Sequence, residues 1–179
     1  MTPEASSLAA WETFYVIVGS SCAALTGLIF VAVSLIPERR TRHPGLALAA
    51  FAAPTVTHLV AGLLVSSLLS APWREPWQAG LAAAVSGVIG AGYCVVVFRR
   101  IRRQTDYRPV REDWLWYLIL PMLAYLLLLV MGSLFSRDPG NAAFGFAASV
   151  VILVLIGIHN AWDMVSYMVA ERIRSQGEP

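Results

Sequence analysis

Two histidines, an asparagine and an aspartate stand inside otherwise apolar stretches of this chain: His58, His159, Asn160 and Asp163. An imidazole in such a place can ligate a haem iron or a metal, relay a proton, or hydrogen-bond to a neighbouring helix. His159 and Asp163 are four residues apart, so on a helix they share one face, and Tyr167 extends the cluster by another turn. Thr55, His58, Gly62 and Ser66 also follow helical spacing and form a small, polar stripe suited to facing other helices. At 1.5 Å per residue, both histidines fall roughly 16–18 Å from one end of their stretches, and Asp163 about 10 Å. The histidines therefore sit at similar depth. Two ligands alone are a weak metal signature. The expected role of His58, His159, Asn160 and Asp163 is interhelical hydrogen bonding, with no metal and no cofactor. Haem or quinone binding and proton or ion conduction are the alternatives.

Other chemistries are excluded by what the chain lacks. It has no lysine, which removes Schiff-base catalysis and a Walker-type phosphate loop. It has neither HExxH nor GxSxG. No catalytic residue is expected. Gly87, Gly90 and Gly92 lie within an apolar run with no strand before them, so they read as places where helices approach closely. Cys22 and Cys94 have no metal or disulfide spacing and read as small core residues.

The elements that must position these groups are apolar helices. Hydrophobic residues make up 58% of the chain and charged residues 13%, with mean hydropathy +0.65; soluble domains carry about 25% charged residues. Five apolar runs, 11–36, 45–71, 78–98, 114–135 and 141–170, are each long enough to cross about 30 Å of hydrocarbon as a helix. Lipid offers no partner for a free backbone N–H, and the unbroken Leu126–Leu129 does not alternate as a barrel strand must. The expectation is an all-α, five-helix transmembrane bundle forming one domain, 1–179.

Arginine alternates between the connections. Arg39, Arg40 and Arg42 follow the first run, and Arg99, Arg100, Arg102, Arg103, Arg108 and Arg111 the third; Arg172 and Arg174 follow the fifth. Arg74 alone follows the second run and Arg137 alone the fourth. By the positive-inside rule the N-terminus lies outside and the C-terminus in the cytoplasm of a bacterial inner membrane. Trp11, Trp73 and Trp77 then mark the outer interface, and Trp114, Trp116 and Tyr117 the inner one. The first run has no basic residues before it, and Gly rather than a large aliphatic stands three before Cys22, so a retained helix is expected rather than a signal or lipoprotein segment.

Gly19, Ala23 and Gly27 repeat every four residues, a small-xxx-small pattern for close helix packing, within the chain or between chains. Pro54 and Pro121 should kink their helices or sit in opening turns. The arginine-rich loop, with Arg99, Arg100, Arg102, Arg103, Arg108 and Arg111, sets topology and supplies contacts for anionic lipids at the inner face. It is short, lies beside the bilayer, and has Tyr107 as its one aromatic before Trp114, so nucleic acid is not an expected partner.

Trp11-Glu12-Thr13-Phe14-Tyr15, continuing through Gly27-Leu28-Ile29-Phe30-Val31-Ala32-Val33-Ser34-Leu35, resembles the first helix of a group of small bacterial multi-spanning proteins of unknown function. Asn160-Ala161-Trp162-Asp163 is similar to a second segment near the end of that group's last helix. Some relatives carry a label as modulators of a membrane protease, and the resemblance implies no catalytic residue. The expected function is non-enzymatic: an interaction or regulatory protein acting through helix contacts, with lipid and another membrane protein or a second copy as partners. A small transporter or channel subunit using His58, His159 and Asp163 is the alternative, and a haem or quinone redox subunit a further one.

Overall fold

The computed structural model describes residues 8–34, 44–103 and 111–177, and every regular element among them is helical. Helix α1 is Glu12–Ser34, α2 Pro44–Leu69 and α3 Pro76–Arg103. Helix α4 runs through three joined pieces: an α turn Arg111–Trp114, a π-helical turn Leu115–Ile119 and an α stretch Leu120–Leu134. Helix α5 is Pro139–Gly177. Four stretches are long and apolar enough to cross a membrane: Glu12–Ala32, Trp77–Arg100, Leu115–Leu134 and Pro139–Ser166. In α2 the described apolar stretch is the shorter Ala53–Leu69. Helices α3 and α5 outrun their apolar segments, because arginines continue a helix as well as apolar residues do.

Local chemistry sets the helix ends. Pro44, Pro76 and Pro139 open α2, α3 and α5, where their fixed φ fits and the missing N–H is not needed. Asp138 caps α5: the Asn141 backbone N–H donates to its Oδ1 at 3.2 Å and the Asn141 side chain to its Oδ2 at 2.7 Å. The side chain of Gln78 reaches back to the Glu75 N–H at 3.3 Å, as in a capping box. At the end of α2 the Trp73 indole N–H donates to the Leu68 carbonyl at 2.6 Å.

Small residues hold the helices together, and the pairs they make fix the directions. A Cβ on Gly19 would lie 3.1 Å from Ser66 Cβ, and one on Gly62 2.9 Å from Cys22 Sγ, so α1 and α2 are antiparallel. A Cβ on Gly157 would lie 2.5 Å from Leu59 and one on Gly62 3.9 Å from Val154, so α5 is antiparallel to α2; Gly145 against Met131 and His159 against Trp116 set it antiparallel to α4. Between α3 and α4 the backbones themselves touch. A Cβ on Gly87 would stand 2.6 Å from the Tyr125 carbonyl, and one on Gly132 2.5 Å from the Gly80 carbonyl. Gly87 and Gly90 thus serve close packing as expected, whereas Gly92 is exposed and meets nothing within 4 Å. This up-down order gathers Arg99, Arg100 and Arg102 at one end with the C-terminal ends of α1 and α5, and leaves Arg74 and Arg137 at the other.

Of the expected stripe Gly19, Ala23, Gly27, Gly19 packs within the chain and the other two do not. Gly19 is buried; Ala23 and Gly27 are exposed, and a Cβ on Gly27 would meet nothing within 4 Å. A strict four-residue repeat drifts about 40° per step around a helix of 3.6 residues per turn. Tyr15, Gly19, Cys22 and Ile29, spaced by four, three and seven residues, stay on the line of contact and are the buried positions.

Most buried residues are apolar, yet the interior also holds polar groups and the exterior large apolar ones. Thr55, His58, Ser66, Ser149 and Asn160 are buried, while Leu28, Phe30, Ile89, Phe144 and Trp162 are exposed. An apolar exterior around a partly polar interior suits a helical bundle surrounded by lipid.

Candidate intramembrane polar site

His58 faces the interior from α2, 1% exposed. Its Nδ1 lies 2.9 Å from the Tyr125 hydroxyl of α4, and the Tyr93 ring of α3 stands edge-on at 6.1 Å between centroids. Three helices therefore meet at one imidazole. Gly90 makes this possible, because a Cβ there would overlap the Tyr125 ring. A neutral imidazole that accepts the phenol proton at Nδ1 carries its own proton on Nε2. That Nε2 is buried without a hydrogen-bond partner, as is Ser66 Oγ.

Pro121 shapes the approach to Tyr125. It is buried and has no N–H for the carbonyl one turn back. Just before it the helix widens into the π turn Leu115–Ile119, where the Leu120 N–H bonds to the Leu115 carbonyl five residues earlier. The extra residue in this turn changes the facing of the segment before it. There Trp116 stacks on His159 of α5, with centroids 3.7 Å apart and planes 14° from parallel. Pro121 itself sits in the opening turn of the α stretch Leu120–Leu134, one of the two places expected for it.

His159 Nε2 is 3.2 Å from Asp163 Oδ2, within ion-pair distance, though the angle is not that of a hydrogen bond. The expected i,i+4 pair is present, but it stands at the surface. The Asp163 side chain is 48% exposed and its neighbour Trp162 is among the most exposed apolar residues. Asn160, on the adjoining face, is completely buried, and both ends of its amide lack a hydrogen-bond partner. Gly157 packs on Leu59, so Asn160 and His159 lie within about a turn of the depth of His58. The shared depth does not bring the histidines together. His58 is enclosed by Tyr93 and Tyr125, and His159 lies against Trp116 and Asp163. Among the described residues no group of three or more His, Cys, Asp or Glu is placed to hold a metal. Cys22 and Cys94 are free and buried.

At the arginine-bearing end, Arg99, Arg100 and Arg102 are exposed. The Arg102 guanidinium lies 5.6 Å from the Phe98 ring centroid, and Phe98 packs edge-on against Trp114 at 5.8 Å. Arg108 lies outside the described residues, as do the side chains of Arg103, Arg111 and Tyr167. Sequence reasoning missed Tyr125, Tyr93, Trp116 and Gly90 as parts of the site. A phenol four residues after a proline inside a leucine run was the available signal for Tyr125. Compared with protein-family models, curated proteins and solved structures, the chain gives no match.

Proposed function

We propose that this chain is a five-span protein of a bacterial inner membrane, N-terminus outside, acting without catalysis through contacts between helices. The observation that carries this reading is the second small-residue face of α1. One face, with Gly19 and Cys22, is used against α2. Another, with Ser20, Ala23, Ala24 and Gly27, is exposed, and Gly27 is open. Lipid tails gain nothing from such a surface, whereas a second helix packs on it closely. The partner is another membrane protein or a second copy, consistent with the resemblance of this helix to small bacterial membrane proteins. The test is crosslinking in membranes through a cysteine at Gly27, in a background lacking Cys22 and Cys94. Crosslinks to a second chain are expected, and Gly27→Leu should abolish association while leaving monomer stability intact. A monomer that forms no crosslink at any position on this face would overturn the reading.

A second reading rests on the buried, unpaired Asn160 and His58 Nε2. Such groups inside a bundle suit proton or ion handling, with His159 and Asp163 at the mouth. Flux into liposomes that is lost in Asn160→Leu would favour it.

A further inference from the structure

Asn160 is completely buried with both ends of its amide unpartnered, and His58, equally enclosed, has its Nε2 unpartnered. Helix contacts place the two at one level. Gly157 lies against Leu59, and Ala161 and Val56 pack on the same small core cluster. In the antiparallel pair α2–α5, Asn160 therefore stands opposite Val56, about 3 Å along the axis from His58. A Cα–Cβ bond tilts toward the N-terminus of its helix. Helix α2 begins and α5 ends at the arginine-bearing end, so His58 leans toward that end and Asn160 away from it. The two tilts close the small offset between imidazole and amide. Thr55 and Tyr117, also buried, share this level. Thr55 adjoins Val56, and Tyr117 adjoins Trp116, which stacks on His159 beside Asn160. Polar side chains of α2, α4 and α5 thus form one layer of the core.

The layer is close to the arginine-bearing end. Thr55 and Tyr117 stand two residues, about 3 Å, inside the apolar stretches Ala53–Leu69 and Leu115–Leu134, and Asn160 six residues, about 9 Å, before the end of Pro139–Ser166. On the far side the core is apolar, with Leu59, Ala124, Leu128, Leu153 and Ile156 buried, and the Tyr125 hydroxyl turns back to His58. With Nδ1 accepting from Tyr125, Nε2–H is a donor, and the Asn160 amide offers a donor and an acceptor. With the imidazole neutral this set carries no charge, so it suits a neutral ligand. Water matches it, accepting from Nε2–H and the amide N–H and donating to the amide oxygen; internal waters make about three such bonds. We propose that water entering from the arginine side occupies this layer and bridges His58 to Asn160, so that His58 exchanges protons with that side alone. The assignment rests on the polar site of the second functional reading, and gives it a ligand and a direction of access.

The chain has two asparagines, Asn141 and Asn160, so selective ¹⁵N labelling of asparagine and histidine side chains gives few signals, assigned by single substitutions. Water-edited solid-state NMR of the full chain in bilayers then reads how fast magnetisation passes from water to each group. The Asn160 amide and His58 Nε2 should receive it several-fold faster than the backbone amide of buried Phe146, and at a rate approaching that of the exposed Asn141 amide. Asn160→Leu should slow the transfer to His58 several-fold while the unfolding temperature in detergent holds. Ser66→Ala should leave it unchanged, since the Ser66 hydroxyl, also unpartnered, belongs to a side chain that packs on Gly19 of α1 nearer the other end. A wild-type Asn160 amide as dry as Phe146 would overturn the proposal, and this measurement needs no variant to fold. Drying of His58 by Ser66→Ala but not by Asn160→Leu would place entry at the opposite end and overturn the direction. Rapid transfer to both groups without proton flux into liposomes would remove conduction and leave the hydrated layer standing.

Discussion

At the scale of single residues, the pair His58–Tyr125 is the most exacting contact in the bundle. Removing the phenol hydroxyl leaves both imidazole nitrogens buried without a partner. Hydrogen bonds between membrane helices average about 0.6 kcal/mol and reach about 1.7. Tyr125→Phe should therefore lower stability in detergent by roughly 1 kcal/mol, read from denaturant unfolding. His58→Leu combined with Tyr125→Phe should lose less than the two separate changes added together, because no orphaned polar group then remains. Additive losses would show that the hydroxyl and the imidazole do not interact. The His159–Asp163 pair behaves differently. It stands on the outside of the bundle. Asp163→Asn should leave the unfolding midpoint nearly unchanged, since the amide still reaches His159. A large loss would mean that Asp163 is engaged in the membrane by a group other than His159.

At the scale of helices, glycine position decides more than glycine number. Gly90 and Gly92 are two residues apart on α3, yet one faces the Tyr125 ring and the other faces outward with open space around it. Gly90→Ala should destabilise the bundle markedly, since the new methyl group displaces the ring that His58 bonds to. Gly92→Ala should be neutral or mildly stabilising, as expected when an exposed helix glycine gains a side chain. Comparing the two unfolding curves checks the packing of α3 on α4 directly; equal losses would overturn it. The same logic separates Gly19 from Gly27 on α1. The drift of a four-residue repeat carries Gly27 off the face that Gly19 occupies, which is why Gly27 is available to a second chain.

At the scale of the whole molecule, the up-down order of the helices and the alternation of arginines agree, and together they predict an orientation. Ser136 and Glu112 are exposed near opposite ends of α4. In a background lacking Cys22 and Cys94, Ser136→Cys should react with a membrane-impermeant thiol reagent in intact cells, and Glu112→Cys should be protected. Reversed labelling would place the arginine-rich end outside. The helical class and four of the long apolar stretches were legible in the chain, as was the alternation of arginine along it. They depend on the transfer energy of each residue and the location of each arginine, quantities that add along the sequence. Helix rotation was not legible. Helices apolar on every side give no periodic signal of which face turns inward. Only the packed structure decided that His58 meets Tyr125, that Trp116 turns onto His159 at a π turn before Pro121, that Asn160 is buried while Asp163 is not, and that α1 packs through Gly19 and Cys22. Those outcomes arise from contacts between residues far apart in the chain, where the fit of one side chain against a neighbouring backbone fixes the rotation of both helices.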